Sequence, residues 1–234
     1  MPHTDYLQIF FRSSLIIQGV YVILASMSVT CWSIVFYKLM QLRRMRKKIK
    51  EDSETFQGAR ELHAAFLSLA PAPDSISHKV AQAGYIEYQE LGSLELPQGE
   101  RVKIVLESLR HTLGDEVRQE VANSFRPLPF LGVCANAAPL MGLFGTVWGI
   151  FHSFQGFGNM GRAASLMVVG QGLGEALGTT IAGLLVAIPA TLFYNYFLNR
   201  IGDLERSLTQ FSQLFLKLIK NDLHRRQAAS GQAR

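Results

Sequence analysis

Apolar residues in this chain come in long blocks, with the charged residues pushed to the block ends. Leu15 to Tyr37 holds no charged residue and is bracketed by Arg12 and Lys38. Pro127 to Phe154 and Ala176 to Asn199 are likewise uncharged. Each block is long enough for the ~20 residues that a helix needs to cross the hydrocarbon, so the pattern predicts three membrane spans. Elsewhere the period becomes amphipathic. PAPDS (Pro71 to Ser75) and LPQGE (Leu96 to Glu100) are turn signals that divide the stretch between spans one and two into helical pieces. After the second, Val102, Leu106, Leu109, Leu113, Val117 and Val121 recur at three-to-four spacing, which predicts an amphipathic helix aimed at span two. Pro127 and Pro129 cannot donate helical hydrogen bonds, so a bend is expected where that helix meets the membrane. The tail carries a stricter seam of Ile201, Leu204, Leu208, Phe211, Phe215 and Leu218, a heptad-like stripe on a helix continuous with span three. Both seams need a partner, either each other or a second copy of the chain. The closing QAASGQAR reads as a frayed end.

The expected architecture is therefore all-α: an integral membrane protein with three transmembrane helices, a large helical cytoplasmic loop and a long cytoplasmic C-terminal helix. Its boundaries are a short outer segment 1–14, span one 15–38, the loop 39–126, span two 127–154, a connection 155–165, span three 166–199, and the helix and tail 200–234.

Charge sets the expected orientation. The formal charge of +5 is concentrated beside the membrane rather than spread over a nucleic-acid face. Arg43, Arg44, Arg46, Lys47, Lys48 and Lys50 follow span one; Arg200, Arg206, Lys217, Lys220, Arg225 and Arg226 follow span three. Only Arg162 lies between spans two and three. The positive-inside rule places the loop and the C-terminus in the cytoplasm, and the N-terminus and the 155–165 connection on the other side. Span one reads as a retained anchor rather than a signal peptide, since its apolar run is long and a basic block follows in place of a cleavage site. Cys31 and Cys134 fall inside spans and read as small packing residues, not as a disulfide or metal framework. GFGNMG (Gly156 to Gly161) matches a dinucleotide-binding spacing but lacks the strand–turn–helix setting that chemistry needs. No histidine cluster or nucleophile–base pair stands out, so no catalytic residue, metal or cofactor is expected, and no enzyme.

The candidate chemistry lies in spans two and three. Gly132, Ala135, Ala138, Gly142, Gly145, Gly149 and Ser153 form one stripe of small residues; Ala176, Thr180, Gly183, Ala187 and Ala190 form another. Gly170, Gly174 and Gly178 make two overlapping GxxxG steps. Such faces let helix backbones approach closely. They pack the two spans together, or they wall a channel along which a third helix slides. Thr146 and Thr180 lie on or near these stripes. A membrane threonine commonly bonds a carbonyl one turn earlier on its own helix; the alternative is a polar surface offered to water or to a partner carboxyl. Glu175 is the only carboxylate in the spans. It is a functional candidate as an intramembrane acid, or a complement to the positive end of the helix dipole if the helix starts there.

APLMGLFGTVWGIFHSF followed by GEALGTTIAGLLVAIPATLFYN resembles the signature pair of the MotA/TolQ/ExbB proton channel family. The likeness extends over nearly the whole chain. The short outer N-terminus, LQIFFRSSLIIQGVYVILASMSVTCWSIV and His152 lean towards the TolQ branch, with ExbB the alternative. The resemblance implies a homo-oligomeric, pentameric ring in a bacterial inner membrane, driven by proton flow. The ring surrounds the single spans of a TolR- or ExbD-like partner that carries a membrane aspartate, and works with a TolA- or TonB-like protein. Carried onto this chain, the pore-facing threonines are Thr146 and Thr180, the glutamate is Glu175 and the IPA proline is Pro189. Thr179 departs from the apolar residue that relatives commonly have there, and could share the pore role. Without Asp or Arg in its spans, the chain needs a protonatable group from elsewhere. The glycines are expected to make a smooth, narrow wall for a moving partner helix, with Thr146 as its one polar contact.

Overall fold

The same pattern that predicts spans also explains where the helices run through the membrane boundary without a stop. In a computed structural model, which describes residues 14–58, 66, 75–93, 100–157 and 162–232, helix α1 is Leu15–Gly58, α2 Ile76–Ser93, α3 Arg101–Phe125, α4 Leu128–Phe157 and α5 Arg162–Gln232. Neither Gly nor Pro interrupts α1 between Val20 and Gln57, so the helix begun in the apolar block continues through the basic one. Ser14 caps its start: the Ile17 N–H donates to Ser14 Oγ at 3.4 Å. The chain breaks at Arg126 and Pro127. Pro129 sits in the first turn of α4, where its missing donor has no helical acceptor to lose. α5 is one helix of 71 residues, so the tail is continuous with span three, and its helix runs on to Gln232 through most of the stretch expected to fray. The predicted turns at 71–74 and 96–99 and the glycine-rich connection at 158–161 lie outside the described residues.

The chain divides into two units, each with its own interior. The first, Met1–Lys38 with Pro127–Phe197, contains the membrane-length parts of α1, α4 and α5. Val20, Leu24, Ala138, Val186 and Ala187 form one buried cluster; Cys31, Cys134 and Ala190 form another, with both thiols free. Leu143, Phe144, Val147 and Phe151 of α4 and Ile181, Leu185 and Ile188 of α5 point outward. Helices apolar on every side are built for a lipid surround rather than for water. Lys38 closes this unit. Expected as a flanking charge, it is only 1% exposed.

The second unit, Leu39–Arg126 with Leu198–Arg234, is a helical bundle. Its seams are filled within one chain. Phe56 of α1 meets Phe211 and Phe215 of α5, with ring centroids 4.9 and 5.9 Å apart. Tyr88 of α2 donates to Asp222 of α5 at 2.7 Å, and Ser75 donates to Asp52 of α1 at 2.6 Å. The amphipathic stripes therefore do not call for a second copy. Both also differ from expectation at their ends. In α5 the buried row passes from Phe215 to Ile219 and Leu223 rather than to Leu218, because a straight helix lags a 3.5-residue repeat. In α3 the buried row is Val105, Leu109, Leu113, Val117, Glu120 and Ser124. Glu120, three residues after Val117 on the same helix face, takes the place of Val121 there and pairs with Lys79 of α2 at 3.1 Å.

Gly84 sets the spacing of this bundle. A Cβ there would lie 2.7 Å from Leu113 Cδ2 and 2.8 Å from Phe215 Cε1, both side chains being buried. Gly84→Leu is expected to cost about 2–3 kcal/mol by overpacking. Gly114→Ala in α3, which meets nothing within 4 Å, is expected to gain up to ~1 kcal/mol from helix propensity. Thermal unfolding of the two variants in detergent checks the opposite signs.

Candidate functional site

Glycine on α4 and α5 determines how near the two backbones come. A Cβ on Gly183 would stand 2.5 Å from the Ala138 carbonyl oxygen and 3.2 Å from Gly142 Cα. One on Gly142 would stand 2.8 Å from the Thr179 carbonyl oxygen and 2.9 Å from Thr180 Cα. In both cases the obstacle is main chain, which cannot swing aside. One turn further along α4, a Cβ on Gly145 would overlap the Thr179 side chain, 2.6 Å from its Cβ. At Gly149 the neighbour is Ala176 Cβ at 2.7 Å, and at Gly172 it is the Ser153 hydroxyl. The two small stripes thus face each other within one chain, with α5 filling the face of Gly142, Gly145 and Gly149. The GxxxG steps lie elsewhere: Gly170 and Gly174 have nothing within 4 Å, and Gly178 faces the Tyr21 hydroxyl of α1.

Hydroxyl geometry singles out the centre of this contact. Ser26, Thr30 and Ser33 of α1, Thr146 and Ser153 of α4 and Thr191 of α5 each donate to a carbonyl three or four residues earlier on their own helix. Among the described serine and threonine hydroxyls of the spans, those of Thr179 and Thr180 alone donate across to another helix. Both reach the Gly142 carbonyl, at 3.0 and 3.2 Å. The single Thr179 hydroxyl proton is shared with Ala176 O, the nearer acceptor at 2.7 Å, and the residue is fully buried. Thr180 is part-buried and has the longer bond. Thr146, one turn beyond Gly142, holds Leu143 O at 2.7 Å with its hydroxyl on the exposed side.

Glu175 lies on α5, one turn before Thr179 and within electrostatic reach of Tyr21. It does not open the helix. α5 starts at Arg162, more than three turns earlier, and the dipole's end effect fades within the first turn. The dipole reading of Glu175 is therefore set aside. Pro189 sits inside α5 and, with Ser28, Cys31, Trp32 and Phe193, lines a small cleft between α1 and α5. Tyr21 was missed in the sequence; its signal was a phenol in an otherwise aliphatic stretch of span one. Trp148 was missed too. Its ring lies between Phe144 and Phe151, and its buried Nε1 finds no acceptor among the described residues.

Fold and seam together define a helical membrane protein whose second and third spans share one polar contact in an apolar interior. The family model of the MotA/TolQ/ExbB proton channel family matches residues 74–210, and the chain belongs to that family. The Tol-Pal system protein TolQ of Pseudomonas aeruginosa is 30% identical over 226 residues, covering 96% of each chain. TolQ of Haemophilus influenzae is 28% identical over 215 residues, covering 92% of this chain and 93% of its own. The biopolymer transport protein ExbB of Salmonella typhimurium is 30% identical over 226 residues, covering 94% of this chain and 88% of its own.

Proposed function

We propose that this chain is the ring subunit of a proton-driven motor in a bacterial inner membrane, of the TolQ type. Several copies surround the spans of a TolR-like partner, and a membrane aspartate on that partner takes up and releases the proton. The motor energises a Tol-Pal-like system that maintains the outer membrane during division. One observation carries the reading: in spans with a single carboxylate, two threonine hydroxyls converge on one carbonyl, with Thr146 and Glu175 each one turn away. Because α5 occupies the glycine face of α4, the partner helix would lie along the edge where Thr146 and Thr180 are accessible, not in the glycine groove. Thr179 then stands behind the pore surface. Glu175 lies on α5 on the outer side of the two threonines. Pro189 removes one helical donor on α5 and keeps span three compliant near the opposite end.

ExbB is the second reading, because its relatives match over most of this chain at similar identity. Deleting the gene from its host separates the two. A TolQ-type subunit leaves a leaking outer membrane and cells that fail to separate, and purification of the wild-type protein brings down a single-span protein with an intramembrane aspartate. Intact envelopes with lost outer-membrane uptake would instead favour the ExbB type.

The orientation has its own test. Cys31 and Cys134 are buried and serve as a silent background. A cysteine replacing Ser93 is expected to react only with reagents admitted to the cytoplasm, and one replacing Asn159 with impermeant reagents added outside. Labelling of the Ser93 cysteine from outside intact cells would reverse the topology.

A further inference from the structure

The Gly142 carbonyl is over-supplied with donors. In α4 it accepts the Thr146 N–H as any helical carbonyl does. Thr179 and Thr180 add hydroxyls at 3.0 and 3.2 Å, yet a carbonyl oxygen has two lone pairs. The Thr180 bond is the longer of the two, and its side chain is the one not fully buried. Thr179 divides its single hydroxyl proton between Ala176 O at 2.7 Å and Gly142 O at 3.0 Å, and its side chain fills the hole left by the missing Cβ of Gly145.

We infer that Thr179 is a positioning residue for Thr180: by competing for the one lone pair of the Gly142 carbonyl that the helix leaves free, it lets the Thr180 hydroxyl turn to a carboxylate or to water. This rests on the proposed proton path. A hydrogen bond to an ionised carboxylate is roughly twice as strong as one to a neutral carbonyl, so a partner carboxylate draws Thr180 away from Gly142. The carbonyl keeps the Thr146 N–H throughout, so what opposes the move is the strength of the Thr180 hydrogen bond itself. With Thr179 sharing the remaining lone pair that bond is weak; without the Thr179 hydroxyl, Thr180 has the lone pair to itself and is held more firmly. The extra threonine of this chain thus acts on the pore from behind it.

The test measures proton flux per assembled ring in liposomes containing the full chain and its membrane-aspartate partner, for Thr179→Val, Thr179→Ser and Thr180→Val. Ring size by native mass spectrometry and melting temperature are measured on the same samples. Thr179→Val is expected to form normal rings with flux lowered about tenfold, and Thr179→Ser to restore most of it. A packing role alone would shift the melting temperature and leave flux per ring unchanged. Wild-type flux in Thr179→Val, or failure of Thr179→Ser to restore it, overturns the inference. So does loss of the ring in Thr179→Val, which would make the residue a packing element first. The underlying path fails separately, by wild-type flux in Thr180→Val.

Discussion

Replacing Gly142 by leucine is expected to separate α4 from α5 and to leave little assembled protein in the membrane. The first added carbon alone would lie 2.8 Å from the Thr179 carbonyl oxygen and 2.9 Å from Thr180 Cα. Both obstacles are main-chain atoms of a helix, so relief requires moving the whole of α5. Overpacking of side chains costs about 1–3 kcal/mol; a main-chain obstacle allows less relaxation, and the cost is expected at or beyond the top of that range. Gly145→Ala is expected to be milder, because its obstacle is the Thr179 side chain and not the main chain of α5. Gly19→Leu on α1, which meets nothing within 4 Å, serves as the control. Expression level and melting temperature in detergent rank the three. A Gly142→Leu protein that accumulates and melts like wild type would mean that the two helices do not touch as described.

The contrast between Gly142 and Gly145 marks where sequence reading stops. Small residues at helical spacing identified the contact faces, because close helix approach requires them. The spacing does not say which small residue meets main chain and which receives a side chain. It led to the expectation of a wall for a moving partner helix, whereas α5 of the same chain fills the face of Gly142, Gly145 and Gly149; both arrangements need the same glycines. Thr179 was placed beside the pore threonine from its neighbour in sequence. Successive helical residues point about 100° apart, and that turn buries Thr179 while leaving Thr180 part-exposed. The cytoplasmic helices were legible from their apolar period. Their ends were not, since a buried Glu120 has its partner in Lys79, 41 residues away in sequence, and no local pattern announces that pair.

The threonines carry the largest functional prediction. Thr146→Val and Thr180→Val each keep the side-chain volume and remove the hydroxyl. A membrane hydrogen bond contributes only ~0.6 kcal/mol on average, and Thr146 and Thr180 each give up one such bond. Folding and ring size are therefore expected to survive. Proton transfer is not, because it depends on an unbroken chain of donors and acceptors rather than on summed stability. Serine keeps the hydroxyl, so Thr146→Ser and Thr180→Ser are expected to retain most of the activity.

Proton flux into liposomes that hold the ring with its membrane-aspartate partner, compared between wild type and the Thr146→Val, Thr180→Val double variant at equal ring content, tests the central claim most directly. Flux at the level of protein-free liposomes, with rings of normal size, is the predicted result. Wild-type flux in the double variant would contradict it and return both threonines to helix packing.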